Sequence, residues 1–268
     1  MRFAIPTPTT SAIAIGPLTI HFYALCIILG IALAIWLGNK RFLALFPQGK
    51  NVVGDVAIYA IPAGVIGGRL YHVITTPEQY FSSPSSLLEI VKIWKGGLGI
   101  WGAISLGALA AFIAYKKIGR TVELPSFAHF ADALAPGLLL AQAVGRFGNW
   151  FNAELFGRPL EAPWALEIPQ YARPEGYLSY TTFHPTFLYE SLWCLFAATL
   201  LILLGNRFQP GAIFSLYVLL YSAGRFFIEG IRIDQAYQFA GLRLNQYLAA
   251  ALFLAAGALF TKISRSKR

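Results

Sequence analysis

The sequence has few charged residues and few cysteines, and long apolar runs stand in their place. Only 12% of its 268 residues are charged, about half the share usual in soluble domains. A soluble domain this apolar would have too little polar surface to cover itself, which favours an integral membrane protein. Cys26 and Cys194 each lie inside an apolar run. We interpret them as small buried side chains rather than as a disulfide or a metal pair.

Other features are missing as well, and each absence argues against a class of protein. The sequence has no internal repeat, no low-complexity tract and no A-x-A-like cleavage site after the first apolar run, so that run indicates a retained helix rather than a signal peptide. Asp55, Asp132 and Asp234 are isolated, whereas a phosphatidyl-alcohol transferase would need a paired-aspartate metal motif. The net charge of +9 lies in short clusters between apolar runs, which favours anionic lipid over nucleic acid as the partner.

Seven apolar runs are long enough to cross a membrane, since a spanning helix needs roughly 17–25 residues. They lie at about 18–38, 53–75, 98–116, 127–147, 184–204, 211–229 and 244–262. Asp132 and Pro136 interrupt the fourth. We therefore predict an all-α polytopic membrane protein of about seven transmembrane helices, forming one integral membrane domain over residues 1–268.

Basic residues lie in alternate loops, and this pattern predicts the orientation of the helices. The clusters are Lys40, Arg41 and Lys50; Lys116, Lys117 and Arg120; Arg207; and Lys262, Arg265, Lys267 and Arg268. The positive-inside rule places these segments in the cytoplasm, so the C-terminus is predicted to be cytoplasmic and the N-terminus outside. The long polar segment 148–183, between the fourth and fifth helices, is then a folded extracytoplasmic element.

Three arginines and three acidic residues lie at or near the interiors of the predicted spans. They are Arg69, Arg146, Arg225, Asp132, Glu190 and Glu229. A charge at membrane depth costs about 2.5–3.5 kcal/mol on insertion scales, so it indicates function by default. Interior ion pairs that hold helices together are the alternative.

The polar residues are densest in the stretch 145–158, GRFGNWFNAELFGR. Arg146 could bind a phosphodiester with both arms of its guanidinium group. Asn149 and Asn152 could donate to phosphate or glycerol oxygens, and Glu154 could accept a proton or orient an arginine. The alternative is a polar external turn with aromatic residues at the membrane interface.

Two further stretches combine titratable groups at the ends of predicted spans. His184, Tyr189 and Glu190 open the fifth span and could transfer protons or donate hydrogen bonds. In the stretch 224–234, Arg225, Glu229 and Arg232 follow one another at helical spacing, which predicts a charged stripe on one helix face. A structural histidine and an intrahelical ion pair are the respective alternatives.

The run from Gly145 to Gly157 resembles the signature of prolipoprotein diacylglyceryl transferases, G-R-x-G-N-[aromatic]-x-N-x-E-x-x-G. Supporting motifs follow in the family's order along nearly the whole chain. They are Tyr23, Gly67-Gly68-Arg69, Gly96-Gly97, His184-Pro185-Thr186 with Leu188-Tyr189-Glu190, and Gly224-Arg225 with Glu229 and Arg232.

The resemblance implies a seven-span enzyme of the bacterial inner membrane whose active site faces the outer leaflet. It implies transfer of a diacylglyceryl group from phosphatidylglycerol to the lipobox cysteine of a prolipoprotein, with no cofactor or metal. Arg146, Arg225, Glu154, Asn149 and His184 are then the candidate catalytic residues. Candidate substrate-binding residues are Arg146 for phosphatidylglycerol, with Arg69, Tyr23, Asn152, Gly157, Tyr189, Glu190, Glu229 and Arg232.

One departure from the family pattern concerns the general base. Many members have a histidine in the motif that opens the third span, and Trp101 stands there in this sequence. His72 lies where relatives often have tyrosine, and we assign it no role. The acceptor of the thiol proton is left open between His184 and Glu154. A transporter or channel with interior Arg/Glu pairs is the alternative function.

Overall fold

The computed structural model describes residues 4–16, 18–81, 84–205 and 207–265, and this part of the chain is mostly helical. The helices are α1 (Phe22–Leu45), α2 (Val52–Thr75), α3 (Glu78–Phe81), α4 (Ile100–Ile118), α5 (Phe127–Phe151), α6 (Thr186–Leu204), α7 (Ala212–Glu229) and α8 (Leu244–Arg265). Short strands form antiparallel pairs, β1 (Ala12–Ile15) with β2 (Leu18–His21), β3 (Leu166–Glu167) with β4 (Thr182–Phe183), and β5 (Gln238–Phe239) with β6 (Leu242–Arg243).

Six helices in the described part of the chain are long and apolar enough to cross a membrane: α1, α2, α5, α6, α7 and α8. The prediction of a polytopic all-α membrane protein is confirmed. Helix α4 coincides with the third predicted span and has 19 residues, but it is not among the six. Lys116 and Lys117 in its last turn lower its mean hydropathy. The count of seven spans therefore stays a prediction.

Helices α1 and α5 differ in extent from the predicted spans, and α1 ends at Leu45 rather than at residue 38. Helix α1 begins at Phe22 rather than at residue 18, because residues 18–21 form β2 and pair with β1 in the register Ile13↔Ile20 and Ile15↔Leu18. The isoleucines of this hairpin favour a strand. Helix α5 runs through Pro136 and continues to Phe151. The polar stretch that begins at Gly145 therefore starts inside a helix rather than in an external turn.

The described residues form two compact units. In the unit Asn39–Phe127, α2 packs on α4 at glycines of both helices. An ideal Cβ atom at Gly67 would lie 2.3 Å from the carbonyl oxygen of Gly102, and one at Gly102 would lie 2.1 Å from that of Gly67. No side chain tolerates such contacts, so these glycines let the two backbones touch.

The other unit contains the described residues up to Gly38 and from Ala128 onward. Here α1 approaches α5 closely, since a Cβ atom at Gly30 would lie 2.9 Å from the Ala141 carbonyl oxygen and one at Gly137 would lie 2.8 Å from that of Ala34. Small and aliphatic side chains of α5, α6 and α7 form its core. They are Ala135, Leu139, Ala143, Cys194, Ala197, Ala198, Leu201 and Ile213.

The residues that follow α5 have an apolar core of their own. It comprises Phe156, Leu166, Ile168, Phe183 and Phe187. The beginning of the chain joins this segment, because the Ile5 N–H donates to the Ala165 carbonyl at 2.7 Å and the Glu167 N–H donates to the Ile5 carbonyl at 2.9 Å. These contacts fix the chain between α5 and α6; the side of the membrane on which the segment lies stays a prediction.

Asp132 is a charged residue inside α5, and its carboxylate caps the start of α7. The backbone N–H groups of Gly211 and Phe214 both donate to its carboxylate, each at 2.7 Å. The first N–H groups of a helix have no partner within the helix, and the helix dipole favours a negative charge there. Asp132 therefore joins α5 to the start of α7, and we assign it a structural role.

Replacing Asp132 with alanine should destabilise the protein by about 1–2 kcal/mol, the usual loss when a helix cap is removed. The reason is that two backbone N–H groups lose their acceptor. Thermal unfolding in detergent, followed by circular dichroism, measures the effect. Glu123→Ala removes a carboxylate from an exposed position and serves as the control. An Asp132→Ala protein as stable as this control would contradict the assignment.

Candidate active site

One buried carboxylate holds two arginines that come from different helices. Arg146 of α5 pairs through Nε with Oε2 of Glu190 on α6, and Arg225 of α7 donates through Nη1 to Oε1 of Glu190 at 2.8 Å. The Glu190 side chain is 7% exposed, whereas those of Arg146 and Arg225 are 20% and 19% exposed. The two guanidinium groups are thus fixed on one carboxylate, and about a fifth of each arginine side chain remains exposed.

The ion pairs continue from Arg225 to a second buried carboxylate. Glu229 is fully buried and lies 2.7 Å from Arg225, 2.8 Å from Arg243 and 3.4 Å from Arg232. Asp234 then pairs with Arg232 at 2.7 Å and with Arg243 at 2.8 Å. We call this set the arginine–carboxylate chain. Its members are Arg146, Glu190, Arg225, Glu229, Arg232, Asp234 and Arg243.

The stripe predicted on a single helix is corrected in one respect. Helix α7 ends at Glu229, so Arg232 does not share a helix face with Arg225. It contacts Glu229 from the turn that follows the helix. Gly230 directly follows the last residue of α7, so the helix stops before it reaches Arg232.

Arg146 has further partners that set its orientation. Its Nη1 donates to Oδ1 of Asn149 at 3.5 Å, and its Nη2 donates to the Tyr221 hydroxyl at 3.2 Å. Asn149 in turn donates to Glu154 at 2.8 Å, and Asn152 donates to the same oxygen at 3.3 Å. Glu154 therefore acts on Arg146 through the amide of Asn149.

A tight reversal after α5 brings Glu154 back towards the helix. Ala153 and Leu155 have φ angles of +52° and +60°, a region that residues other than glycine seldom adopt. The backbone N–H of Glu154 donates to the Asn149 carbonyl at 3.0 Å. This backbone conformation, rather than helix periodicity, places the carboxylate beside the two asparagines.

A small cleft between α6 and α7 opens on the arginine–carboxylate chain. Its lining consists of Glu190, Trp193, Cys194, Tyr221, Gly224, Arg225 and Ile228. A Cβ atom at Gly224 would lie 2.3 Å from the Trp193 indole, whose Nε1 donates to the Leu220 carbonyl at 2.8 Å. Gly224 therefore makes room for the indole next to Arg225.

Tyr23 lies alongside the polar stretch of α5. A Cβ atom at Gly148 would lie 2.5 Å from its ring, so the missing side chain at Gly148 lets the phenol approach the helix. Tyr23 is within electrostatic reach of Glu154 and Arg146 and remains partly exposed. It thus adds a hydroxyl group near the predicted phosphate site.

His184 and Tyr189 form a separate pair. His184 Nδ1 lies 3.1 Å from the Tyr189 hydroxyl, which also accepts a hydrogen bond from Trp164 Nε1 at 3.2 Å. Burial lowers the pKa of the His184 imidazole, and the nearby Arg158 guanidinium lowers it further. Tyr189 thus pairs with His184, whereas Glu190 pairs with the arginines.

Gly157 has a packing role in the segment between α5 and β3, where it forms an antiparallel β-bridge with Arg232. A Cβ atom there would lie 2.7 Å from Ile231 and 2.8 Å from His184, and its N–H donates to the His184 carbonyl at 3.0 Å. These contacts align the segment after α5 with the turn after α7. Substrate binding by Gly157 stays a prediction.

Arg69 lies in the unit Asn39–Phe127, where backbone carbonyls occupy its guanidinium group. The acceptors are the carbonyl oxygens of Glu89, Ile90, Gly96 and Gly97. The guanidinium carbon also lies 5.0 Å from the centre of the Tyr80 ring. These contacts hold the glycine-rich motif that precedes α4 and favour a structural role. Substrate binding by Arg69 stays a prediction.

Trp101, at the position where the family pattern led us to expect a histidine, is also in this unit. Trp101 lies in the first turn of α4 and is partly exposed. Nearby, His72 Nδ1 lies 3.1 Å from the Thr76 hydroxyl and 3.0 Å from the Tyr80 hydroxyl. These hydrogen bonds give His72 a structural role.

A comparison with known protein families identifies the family of this chain. Residues 10–262 match the family model described as prolipoprotein diacylglyceryl transferase. The chain belongs to the prolipoprotein diacylglyceryl transferase family. The match covers nearly the whole chain, so the resemblance of the stretch Gly145 to Gly157 is confirmed.

Relatives of this diacylglyceryl transferase are similar over most of both chains. Phosphatidylglycerol–prolipoprotein diacylglyceryl transferase 2 of Streptomyces coelicolor is 49% identical over 94% of this chain and 78% of its own length. The enzyme of that name from Paenarthrobacter aurescens is 50% identical over 96% and 83%, and the one from Cutibacterium acnes is 47% identical over 98% and 88%. A transporter or channel is not favoured by these relatives.

Several residues of the candidate site escaped the sequence analysis. Tyr221, Arg243 and Asn245, which donates to Glu229 at 3.1 Å, were not predicted. Asp234 was counted as isolated, but it contacts Arg232 and Arg243. Burial by itself would raise the pKa of its carboxyl group, and these contacts lower it. One signal was available, since Arg243 is a basic residue next to the start of an apolar span. Such a position is ordinarily read as a topology signal, and only the folded hairpin shows that the side chain is buried.

In the transferase, Gly224→Ala should destabilise the fold by about 1–3 kcal/mol, the usual cost of overpacking, because the new methyl group would overlap the Trp193 indole. Thermal unfolding and the emission of the displaced tryptophan measure the effect. Gly54→Ala is the matched control, since a Cβ atom at this helical glycine of α2 meets nothing within 4 Å. Equal behaviour of the two variants would contradict the packing described here.

Proposed function

We propose that this enzyme transfers the diacylglyceryl group of phosphatidylglycerol to the lipobox cysteine of a prolipoprotein, forming a thioether and releasing glycerol 1-phosphate. This is the first step of bacterial lipoprotein maturation. The observation that carries the proposal is the pairing of Arg146 and Arg225 on the single buried carboxylate of Glu190. The names of the relatives support the two substrates.

The reaction forms a carbon–sulfur bond and breaks a carbon–oxygen bond. The cysteine thiolate attacks the glycerol carbon that carries the phosphate, and the bonding electrons leave with the phosphate oxygen. The thiol loses its proton to a base. Negative charge therefore grows on the leaving group in the transition state, and donors already fixed at that position stabilise it without reorganising.

The two paired guanidinium groups, on side chains that are about one-fifth exposed, suit this task. Arginine binds phosphate through parallel N–H groups and keeps its charge at any working pH. Because Glu190 is buried and holds both groups, little side-chain freedom remains to be lost when the lipid binds. An apolar surrounding also strengthens the attraction between guanidinium and phosphate relative to water.

The charge of the site supports a monoanionic substrate. Within the ion pairs of the arginine–carboxylate chain, four arginines face three carboxylates. One positive charge is left in excess, and a phosphodiester such as phosphatidylglycerol carries one negative charge. Binding of the lipid phosphate at Arg146 and Arg225 would balance the set.

Two candidates for the acceptor of the thiol proton lie in different settings. Glu154 is exposed and receives the amide N–H groups of Asn149 and Asn152. The His184 imidazole has a lowered pKa and is hydrogen-bonded to Tyr189. Glu154 is one amide away from Arg146, so we propose Glu154 as the acceptor that serves the phosphate site.

We also propose that the enzyme lies in the bacterial cytoplasmic membrane with its N-terminus outside, its C-terminus in the cytoplasm and its site facing the outer leaflet. The basic clusters in alternate loops support this orientation. The part of segment 148–183 beyond Phe151 follows the helix that carries Arg146, so the arginines and this segment would lie towards the same side.

Accessibility of introduced cysteines tests the orientation. In a Cys26→Ala/Cys194→Ala background, a membrane-impermeant maleimide should label Glu175→Cys in intact cells, because residue 175 is exposed and extracytoplasmic in this topology. Arg120→Cys, in the exposed loop after α4, should be labelled only after the cells are opened. The reverse pattern would exclude the proposed orientation.

The roles of the two arginines are tested by substitution. Arg146→Ala and Arg225→Ala should each lower kcat/KM by about 100-fold or more, the typical loss when one donor to a developing charge is removed. The assay follows the added diacylglyceryl mass on a lipobox peptide incubated with enzyme and phosphatidylglycerol vesicles. Arg120→Gln, at an exposed position, is the control and should keep the wild-type rate. Full activity of both alanine variants would refute the phosphate-binding role.

A further inference from the structure

Arg243 is a buried arginine at the end of β6, and its side chain donates to carboxylates and a backbone carbonyl of the arginine–carboxylate chain. Its Nε donates to Glu229 at 2.8 Å, its Nη2 to Asp234 at 2.8 Å and its Nη1 to the Arg232 carbonyl at 3.0 Å. The residue is 5% exposed. It therefore cannot meet a substrate in this conformation, although it contacts both carboxylates at this end of the chain.

A tight hairpin brings Arg243 to this position. The turn between β5 and β6 consists of Ala240 and Gly241, with φ angles of +44° and +80°, as a two-residue hairpin turn requires. Arg243 pairs with Gln238 across the strands, and its backbone N–H donates to the Gln246 side chain at 3.0 Å. The hairpin thus inserts a guanidinium group between Glu229 and Asp234.

Glu229 is held from two directions by this arrangement. Its Oε2 faces Arg225 at 2.7 Å, while its Oε1 accepts from Arg243 at 2.8 Å and from Asn245 at 3.1 Å. If Arg243 were removed, the charge of the Glu229 carboxylate would be balanced only by Arg225 and, at 3.4 Å, by Arg232. Arg225 would then be neutralised more completely by its own neighbours.

We propose that Arg243 is a positioning residue that neutralises Glu229 and Asp234, so that Arg225 keeps its charge available to the phosphate of the lipid substrate. The inference rests on the proposed function of Arg146 and Arg225. Without Arg243, three arginines would face three carboxylates in the arginine–carboxylate chain, and the excess positive charge that attracts the phosphodiester would be lost.

The first measurement compares Arg243→Gln with the wild-type enzyme. Glutamine keeps hydrogen-bonding capacity and removes the charge. We expect KM for phosphatidylglycerol, measured against its mole fraction in mixed micelles, to rise with an overall loss in kcat/KM of about 30-fold or more, the range for removing one partner of a buried charged pair. Arg120→Gln removes the same charge from an exposed position and should leave both constants unchanged. A folded Arg243→Gln enzyme with the wild-type KM overturns the proposal.

The decisive variant is Asp234→Asn/Arg243→Gln. It removes one positive and one negative charge, so three arginines face two carboxylates and the excess of one positive charge is restored. If Arg243 acts by charge, KM of the double variant should return towards the wild-type value by about tenfold relative to Arg243→Gln, which is 1.4 kcal/mol of recovered binding. If Arg243 merely anchors the hairpin, losing a second hairpin contact cannot restore KM, and a double variant no better than Arg243→Gln overturns the proposal.

A variant that keeps the charge covers the case in which Arg243→Gln does not fold. Arg243→Lys retains the net charge and loses the forked geometry, so its KM should stay within about threefold of the wild-type value, a difference of less than 1 kcal/mol. A folded Arg243→Lys enzyme with a KM raised tenfold overturns the charge role.

Failure of this inference is distinguishable from failure of the proposed function. If the wild-type enzyme forms no thioether, or if Arg146→Ala and Arg225→Ala are fully active, the proposed function fails. If those variants are inactive while Arg243→Gln retains the wild-type KM, only the positioning role of Arg243 fails.

Discussion

The cost of placing a charge in apolar surroundings governs the whole site. Arg146 and Arg225 lie on helices that are apolar enough to cross a membrane, and an unpaired buried charge there would destabilise the fold by several kcal/mol. The protein meets this constraint with carboxylates that are shared: Glu190 serves Arg146 and Arg225, and Glu229 serves Arg225 and two further arginines. Because each carboxylate is shared, the arginines are held in place without being fully neutralised.

This sharing also joins the helices that carry the residues. Arg146 belongs to α5, Glu190 to α6 and Arg225 to α7, while Asp132 ties α5 to the start of α7 at another point. Glycines supply the close approach that such short contacts need, as at Gly224 beside Trp193. The contacts that hold the site and those that hold the helices are therefore largely the same, and a change in either would disturb both.

Much of the architecture could be predicted from the sequence, because membrane helices are specified by local composition. The apolar runs lie within three residues of the ends of α2, α4, α6, α7 and α8, and the signature after Gly145 identified the family correctly. The exceptions have local causes: β2 takes the residues before Phe22, and α5 continues to Phe151. Arg69 was grouped with the other interior arginines only because it lies inside an apolar run. Its role could not be predicted, because its backbone acceptors lie 20 to 28 residues away along the chain.

The sequence by itself determined which segments are helical, that the protein spans a membrane, and which charged residues stand out within it, since each follows from hydropathy and spacing along the chain. Only the tertiary structure decided which charge meets which. It placed Glu190 between two arginines rather than beside His184, and it brought Arg243 from the β5–β6 hairpin to Glu229. The physical reason is that ion pairing depends on distances of about 3 Å between atoms, and those distances are set by helix packing and turn conformation, not by separation in sequence.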